Sequence, residues 1–203
     1  MEFIITIGIL LFSAIVHEVS HGLAAEQLGD DTARDAGRIT LNPIPHIDPF
    51  GTILLPAIMW FATAGQFVFG AAKPVPVNFE NLRKPKLGMA IVSLAGPLSN
   101  VALAILFVIV LKLGLGNSIS EPILTKAIVI NLLLAVFNLI PIPPLDGSKV
   151  IASFLPERLM YRLLEFERYG FILILIFLYT GLLNTIFVPV LFIFASIFQI
   201  NLF

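Results

Sequence analysis

Cysteine is absent from the 203-residue chain, and charged residues make up only 12% of it. Without cysteine no disulfide can form, and a metal site has to use histidine, carboxylate or amide ligands. An ordinary soluble domain carries about 25% charged residues. The scarcity of charge, a hydrophobic content of 58% and a mean hydropathy of +1.00 therefore indicate an integral membrane protein.

The chain also has no large excess of positive or negative charge, since its formal net charge is −1. Nucleic-acid-binding domains usually carry a basic patch, so we expect no nucleic-acid partner and expect contact with membrane lipid instead. A signal peptide would begin with a basic region. The N-terminus has none, and its apolar run contains His17 and Glu18. We therefore expect this run to be retained as a helix.

Apolar runs alternate with proline-rich connections along the chain. A membrane-spanning helix needs about 20 mostly apolar residues, and the pattern predicts an all-α polytopic membrane protein with about four full spans. The broken run at 50–72 predicts a re-entrant segment, and residues 37–41 predict a small β element. The last run is too long for one span and predicts an additional C-terminal helical piece. The predicted spans lie near 2–27, 87–113 and 123–140 and within 169–203.

Residues 17–21, HEVSH, carry the pattern HExxH inside the first apolar run. Histidines four residues apart on a helix are about 40° apart around its axis, so both imidazoles can bind one metal ion. The glutamate between them is positioned to act on a water at that metal. Ionisable residues within a membrane helix usually mark a functional site. The motif therefore predicts a zinc site at membrane depth.

A catalytic zinc usually takes three protein ligands, so two histidines do not complete the site. Asp146, which follows a proline-broken apolar run, is one candidate for the third ligand. It is equally consistent with a turn or cap aspartate before Gly147. His46, in the loop after the first run, is a rival. The residues alone leave this choice open.

A metal shared by His17, His21 and Asp146 would also constrain the topology. An even number of crossings must separate these ligands, and because two later runs supply two, the run at 50–72 has to be re-entrant. Lysine and arginine are enriched on the cytoplasmic side. This topology puts ten of them on one face against two, whereas a spanning 50–72 run gives at best eight against four. We therefore expect the site towards the cytoplasmic side and the N-terminus outside. The ten are Arg34, Arg38, Lys73, Arg83, Lys84, Lys86, Lys149, Arg158, Arg162 and Arg168, and the two are Lys112 and Lys126.

The motifs together resemble the site-2 protease family of intramembrane zinc metalloproteases. Residues 17–22, HEVSHG, match its first signature, and residues 138–147, NLIPIPPLDG, match its N-x-x-P-x-x-x-L-D-G pattern. Residues 95–100, AGPLSN, resemble its G-P-x-x-N element. The connections further resemble the compact prokaryotic branch, without PDZ or CBS domains. The resemblance implies that residues 1–203 form a single membrane-embedded metalloprotease domain in a prokaryotic cell membrane.

The resemblance also implies roles for individual residues. One Zn²⁺ per chain would be held by His17, His21 and Asp146, with Glu18 as the catalytic base and acid. Asn100 would hold the substrate backbone or the oxyanion, and Asn138 would do the same or anchor the LDG turn, although each could instead form an interhelical hydrogen bond. The implied reaction is hydrolysis of a peptide bond within or next to a transmembrane segment of a membrane-protein substrate.

A substrate helix has to unwind before its backbone can be attacked, and an exposed strand edge would hold it extended. The first candidate edge is 37–41, with Arg38, Ile39 and Thr40 as substrate-binding residues, and the second is 73–79. Three alternatives stay open: an inactive scaffold, a transporter with an intramembrane proton or ion path, and another class of membrane HExxH hydrolase. Zinc content would separate a protease from a transporter. The sequence does not indicate the oligomeric state.

Overall fold

A computed structural model describes residues 2–62, 72–116, 120–170, 172, 180 and 182–200. The regular secondary structure in these ranges is helical, which confirms an all-α fold. Single turns of 3₁₀-helix lie at Ile44–His46, Phe79–Asn81 and Phe166–Tyr169, and a π-helix covers Pro49–Leu54. The α-helices are α1 (Glu2–Gln27), α2 (Thr32–Asp35), α3 (Leu55–Ala62), α4 (Pro85–Lys112), α5 (Ser120–Asn138), α6 (Asp146–Phe154), α7 (Glu157–Glu165) and α8 (Leu182–Phe198).

Three of these helices, α1, α4 and α5, are long and apolar enough to cross a membrane. They correspond to three of the four predicted spans. The fourth was expected within 169–203, where residues 171, 173–179, 181 and 201–203 lie outside the described part, so a count of four is not confirmed. Helix α8 occupies part of this region. The predicted re-entrant path at 50–72 is not confirmed either, because 63–71 lie outside the described residues.

Helices α1 and α5 run parallel to each other, and α4 runs antiparallel to both. At one end of the bundle, Lys126 Nζ on α5 lies 2.6 Å from Glu2 Oε1 on α1. At the other end, the Arg83 N–H donates to the Leu28 carbonyl at 3.0 Å. The chain thus enters α4 at the end where it leaves α1, and the connection from 28 to 84 makes no net crossing.

Helices α4, α5 and α8 share an apolar core. It is built from Ala104, Val108, Ile128, Leu132, Leu191 and Phe194, all of them buried. Small residues such as Ala104 allow membrane helices to approach closely, since packing rather than water exclusion drives their association. Helix α4 continues through Pro97, although proline cannot donate the usual backbone hydrogen bond. Neighbouring helices make such prolines tolerable at membrane depth.

The prediction of a β element at 37–41 is wrong, because residues 38–41 form bends and irregular structure in this part of the described chain. The long-range hydrogen bonds of this stretch join a side chain to a backbone carbonyl and do not form a strand ladder. The Arg38 guanidinium donates to the Lys73 and Pro74 carbonyls at 2.8 and 3.3 Å. The Thr40 carbonyl accepts a hydrogen bond from His46 Nε2 at 2.9 Å.

Asp30, just beyond the end of α1, ties that end to the turn preceding α4. Its fully buried carboxylate accepts hydrogen bonds from Thr32 Oγ1 at 2.5 Å, from the Asn78 N–H at 2.7 Å and from Asn81 Nδ2 at 2.9 Å. Burial acts to raise the pKa of Asp30, but these hydrogen bonds outweigh it and hold the pKa below its ordinary value. The contacts fix the C-terminal end of the extended segment 72–78, which passes close to α1.

Candidate metal centre

Three buried side chains converge near the end of the bundle where α1 finishes. His17 Nε2 lies 3.1 Å from His21 Nε2 and 3.1 Å from Asp146 Oδ2, and His21 Nε2 lies 3.3 Å from the same oxygen. The three residues are 6%, 9% and 8% exposed. Ligand atoms about 2.1 Å from one tetrahedral zinc lie roughly 3.4 Å apart. The spacing of this group therefore fits a zinc ion, and His46 is not part of it.

The hydrogen bonds behind the two imidazoles set which ring nitrogen carries the proton. His21 Nδ1 lies 2.7 Å from the Val92 carbonyl, which can only accept, so this nitrogen must donate. His17 Nδ1 lies 2.7 Å from Asn100 Oδ1. With both protons on Nδ1, each Nε2 lone pair faces the Asp146 oxygen and the other imidazole. Three acceptors at this distance repel one another unless a cation lies between them, and a zinc ion satisfies that requirement.

Gly96 on α4 leaves the space that this group needs. A Cβ at position 96 would lie 2.5 Å from Nε2 of His17 and 2.5 Å from Nε2 of His21. Any side chain would therefore collide with the Nε2 atoms of both histidines. Glycine is thus required at this position of the AGPLSN segment because the α4 backbone approaches the two imidazole rings closely.

Asp146 reaches the site because α5 ends early. Prolines at 141, 143 and 144 cannot continue a helix, and α5 ends at Asn138 before α6 begins at Asp146. Gly147 packs so tightly against the end of α5 that a Cβ there would collide with the Leu139 carbonyl. The LDG turn is therefore seated directly on α5, which carries the Asp146 carboxylate to the histidines.

Glu18 lies beside this group on α1 and is half-buried. Its Oε2 accepts a hydrogen bond from the Val75 N–H at 2.7 Å. Val75 belongs to segment 72–78, which is held in place by the Arg38 guanidinium and by a 2.8 Å hydrogen bond from the Lys73 N–H to the His46 carbonyl. The segment thus positions a backbone donor against the carboxylate between the two histidines.

The other predicted site residues lie at varying distances from this chemistry. Asn138 Nδ2 donates to the Leu134 carbonyl one turn back in its own helix. Ile39 and Val75 both lie close to Gly22, where an added Cβ would be 3.3 and 3.1 Å from their side chains. The structure therefore places Ile39 beside α1 near Gly22, whereas Arg38 is linked to α1 through segment 72–78.

Sequence reasoning missed two buried polar residues behind the site, Ser13 on α1 and Asn131 on α5. Asn131 Oδ1 accepts a hydrogen bond from Asn100 Nδ2 at 3.0 Å, and Asn131 Nδ2 donates to Ser13 Oγ at 2.9 Å. An amide within an apolar run was a usable signal for Asn131. The carbonyl of Val92 could not have been found, because a backbone group has no sequence signature.

Comparison with known proteins gives the same reading as the geometry. The family model described as Peptidase family M50 matches residues 115–183. The chain is 40% identical over 191 residues to "Putative zinc metalloprotease YwhC" of Bacillus subtilis, covering 90% of this chain and 83% of that protein. It is 30% identical over 189 residues to "Putative zinc metalloprotease Rip2" of Mycolicibacterium smegmatis, covering 90% and 69%.

A shorter match is to "Zinc metalloprotease MJ0392" of Methanocaldococcus jannaschii, 34% identical over 77 residues, which are 38% of this chain and 23% of that protein. No solved structure matches the chain. The two long matches each cover 90% of this chain. The chain therefore belongs to peptidase family M50, the site-2 protease family, and is a zinc metalloprotease.

Proposed function

We propose that this metalloprotease hydrolyses a peptide bond within or next to a transmembrane segment of a membrane-protein substrate, in the manner of regulated intramembrane proteolysis. His17, His21 and Asp146 hold one zinc ion, and Glu18 is the catalytic base and acid. The convergence of three buried ligand atoms inside a bundle of membrane-length helices carries this proposal. Charged and polar groups at that depth cost free energy, and their presence therefore usually marks a function.

Zinc bound at this site supplies Lewis-acid activation of water and of the scissile carbonyl. Glu18 takes the proton of the attacking water and then delivers it to the leaving amine nitrogen. The Val75 N–H fixes Oε2 of Glu18, which orients the carboxylate, so we assign the proton transfer to Oε1. The Val92 carbonyl and Asn100 keep the His21 and His17 protons on Nδ1, leaving Nε2 of each ring available to the metal.

Asn100 is assigned to orienting His17 rather than to holding the oxyanion. Its Oδ1 faces His17 Nδ1 at 2.7 Å, and its Nδ2 donates to the Ser13 carbonyl and to Asn131. Both hydrogens of the amide are thus already taken up by these two acceptors. A substrate contact by Asn138 stays a prediction, and its bond to Leu134 supports anchoring of the end of α5.

For substrate binding, the contacts favour segment 72–78 over residues 37–41. Arg38 is buried against the Lys73 and Pro74 carbonyls, so it braces the segment rather than forming an edge itself. Val75 is in direct hydrogen-bond contact with Glu18. A substrate strand lying along the outer edge of this segment would bring its scissile peptide next to the catalytic carboxylate.

We place the metal centre towards the cytoplasmic side of a prokaryotic cell membrane, with the N-terminus outside. The connection from 28 to 84 makes no net crossing, so it lies with the turn after α5 at the metal-bearing end. Residues 28–86 carry six of the twelve Lys and Arg residues and residues 139–168 carry four, so ten lie at this end. The enrichment of basic residues on cytoplasmic faces supports this orientation.

The absence of cysteine makes this orientation directly testable with single-cysteine variants. Leu115→Cys lies at the end away from the metal, and Arg158→Cys lies on α7 at the metal-bearing end, both at exposed positions. A membrane-impermeant thiol reagent added to intact cells is expected to label Leu115→Cys and to label Arg158→Cys only after the cells are opened. The reverse pattern would place the metal centre on the outer side.

Cleavage in reconstituted vesicles tests the proposed reaction. The protein and a single-span substrate are combined in proteoliposomes, and the products are mapped by mass spectrometry. We expect one or a few cuts inside the span or at its edge, lost on zinc chelation and restored by added zinc. Cuts confined to soluble parts of the substrate, equally rapid without a membrane, would contradict intramembrane proteolysis.

A further inference from the structure

A buried polar cluster lies directly behind the metal centre and joins the three membrane-length helices. It consists of Ser13 on α1, Asn100 on α4 and Asn131 on α5, and each is 0% exposed. Of these three side chains, that of Asn100 reaches a proposed metal ligand, through the 2.7 Å hydrogen bond between its Oδ1 and His17 Nδ1. Asn131 is therefore one hydrogen bond removed from the ligand, at the far side of Asn100.

The direction of every hydrogen bond in this cluster is set by two backbone carbonyls. The Ala127 carbonyl lies 2.8 Å from one end of the Asn131 amide, and because a carbonyl only accepts, that end must be Nδ2. Asn131 Oδ1 then faces Asn100 at 3.0 Å and requires a donor there. The Ser13 carbonyl, 3.2 Å from the same Asn100 nitrogen, makes the same demand. Asn100 Oδ1 is thereby turned towards His17.

This orientation decides the protonation pattern of His17. Facing Oδ1, the imidazole carries its proton on Nδ1 and presents an Nε2 lone pair to the metal. A flipped Asn100 amide would present Nδ2 instead, favouring a proton on Nε2, where the metal has to bind. His21 has no such dependence, since the Val92 carbonyl fixes its Nδ1 proton directly. The two histidine ligands are thus oriented by different means.

We propose that Asn131 is a positioning residue for the metal centre, which fixes the amide of Asn100 and through it the metal-binding tautomer of His17. This rests on the proposed role of His17 as a zinc ligand. Outer partners of metal-bound histidines hold ring orientation and tautomer, and their loss typically lowers metal affinity about 10–100-fold. The competing explanation is an ordinary interhelical hydrogen bond that only holds α4 and α5 together.

Replacing Asn131 by leucine, which has the same branching and the same number of side-chain heavy atoms but no polar group, separates these explanations. Zinc affinity is measured on the apo protein in detergent by competition with a chelating dye, with no substrate present. We expect Asn131→Leu to bind zinc about 10–100-fold more weakly than wild type. Ser13→Ala removes only the outer acceptor of Asn131 and keeps the Ser13 carbonyl, so its loss of affinity should be smaller.

Ile128→Ala is the matched control. Ile128 is fully buried on the same helix, in the apolar core of α4, α5 and α8, and has no polar link to the site. It should lower the unfolding temperature while leaving zinc affinity near that of wild type. Equal zinc affinity of Asn131→Leu and wild type, or equal losses in Asn131→Leu and Ile128→Ala, would overturn the proposal.

The His17 tautomer gives a second readout that a structural role would not change. The chain has only three histidines, so ¹⁵N-histidine labelling yields a simple spectrum of ring nitrogens. His17 in apo wild type is expected as the Nδ1–H tautomer, and Asn131→Leu, or Asn131→Ala if the leucine variant does not fold, should shift it towards a mixture. An unchanged tautomer in the folded variant would also overturn the proposal. A wild type that binds zinc but cleaves no membrane substrate would refute the proposed function alone.

Discussion

Glu18→Gln is expected to lower kcat/KM by about 10²–10⁴-fold, the range that a positioned general acid–base supplies. Glutamine cannot take the proton of the attacking water or return it to the leaving amine. The structure indicates that the variant will fold, because an amide oxygen can still accept the Val75 N–H that now binds Glu18 Oε2. Zinc content and unfolding temperature should match wild type. The measurement is steady-state cleavage of a transmembrane peptide in detergent and in vesicles.

Glu26→Gln is the appropriate control for this result. Glu26 lies on the same helix and forms an ion pair with Arg34, beyond the metal centre. The Glu26→Gln variant also loses one carboxylate. We expect its kcat/KM to remain within about twofold of wild type, since surface ion pairs contribute little to stability. A Glu18→Gln protein that holds zinc and cleaves at the wild-type rate would show that another group moves the proton.

Gly96→Ala is expected to weaken zinc binding and to lower activity with it, although it leaves His17, His21 and Asp146 in place. The added Cβ would lie 2.5 Å from the metal-facing nitrogens of both histidines, so the rings or α4 must move. Overpacking of this kind costs about 1–3 kcal/mol, equivalent to roughly 5–150-fold in an equilibrium constant, and the displaced atoms are themselves the ligands. Zinc per chain after dialysis is the direct measurement.

Gly8→Ala supplies the matched control, because a Cβ at position 8 on α1 would have no atom of the described residues within 4 Å outside the backbone of its own helix. Alanine favours a helix over glycine by about 1 kcal/mol, so this variant should keep its zinc and be at least as stable as wild type. If Gly96→Ala retained one zinc per chain and wild-type activity, the close approach of α4 to the ligands would not matter for the centre.

The approach of His17 and His21 was predictable because its signal is local in sequence. HExxH needs only helix geometry to bring these two residues together, and a metal that they share with Asp146 requires all three to lie at the same end of the bundle. The structure has these three groups within 3.3 Å of one another. The absence of a net crossing between 28 and 84 also follows from the same requirement, and the hydrogen bond from Arg83 to Leu28 agrees with it.

The sequence did not predict local structure correctly where polar groups form hydrogen bonds with residues far away in the chain. Residues 37–41 have a strand-like pattern, but the Arg38 side chain reaches carbonyls 35 and 36 residues away and the Thr40 carbonyl accepts from the His46 ring. The bond from Val75 to Glu18 is equally non-local. The amide of Asn100 illustrates the same limit, since only its partners on α1 and α5 reveal that its oxygen faces His17.

A zinc titration of the apo protein in proteoliposomes tests the central claim most directly, because it measures metal binding and intramembrane cleavage in one sample. The account predicts that cleavage of a transmembrane substrate is absent without zinc, rises in proportion to bound zinc and saturates at one ion per chain. In His21→Ala, added zinc should restore neither binding nor cleavage. Full cleavage by zinc-free protein, or by His21→Ala, would contradict the account.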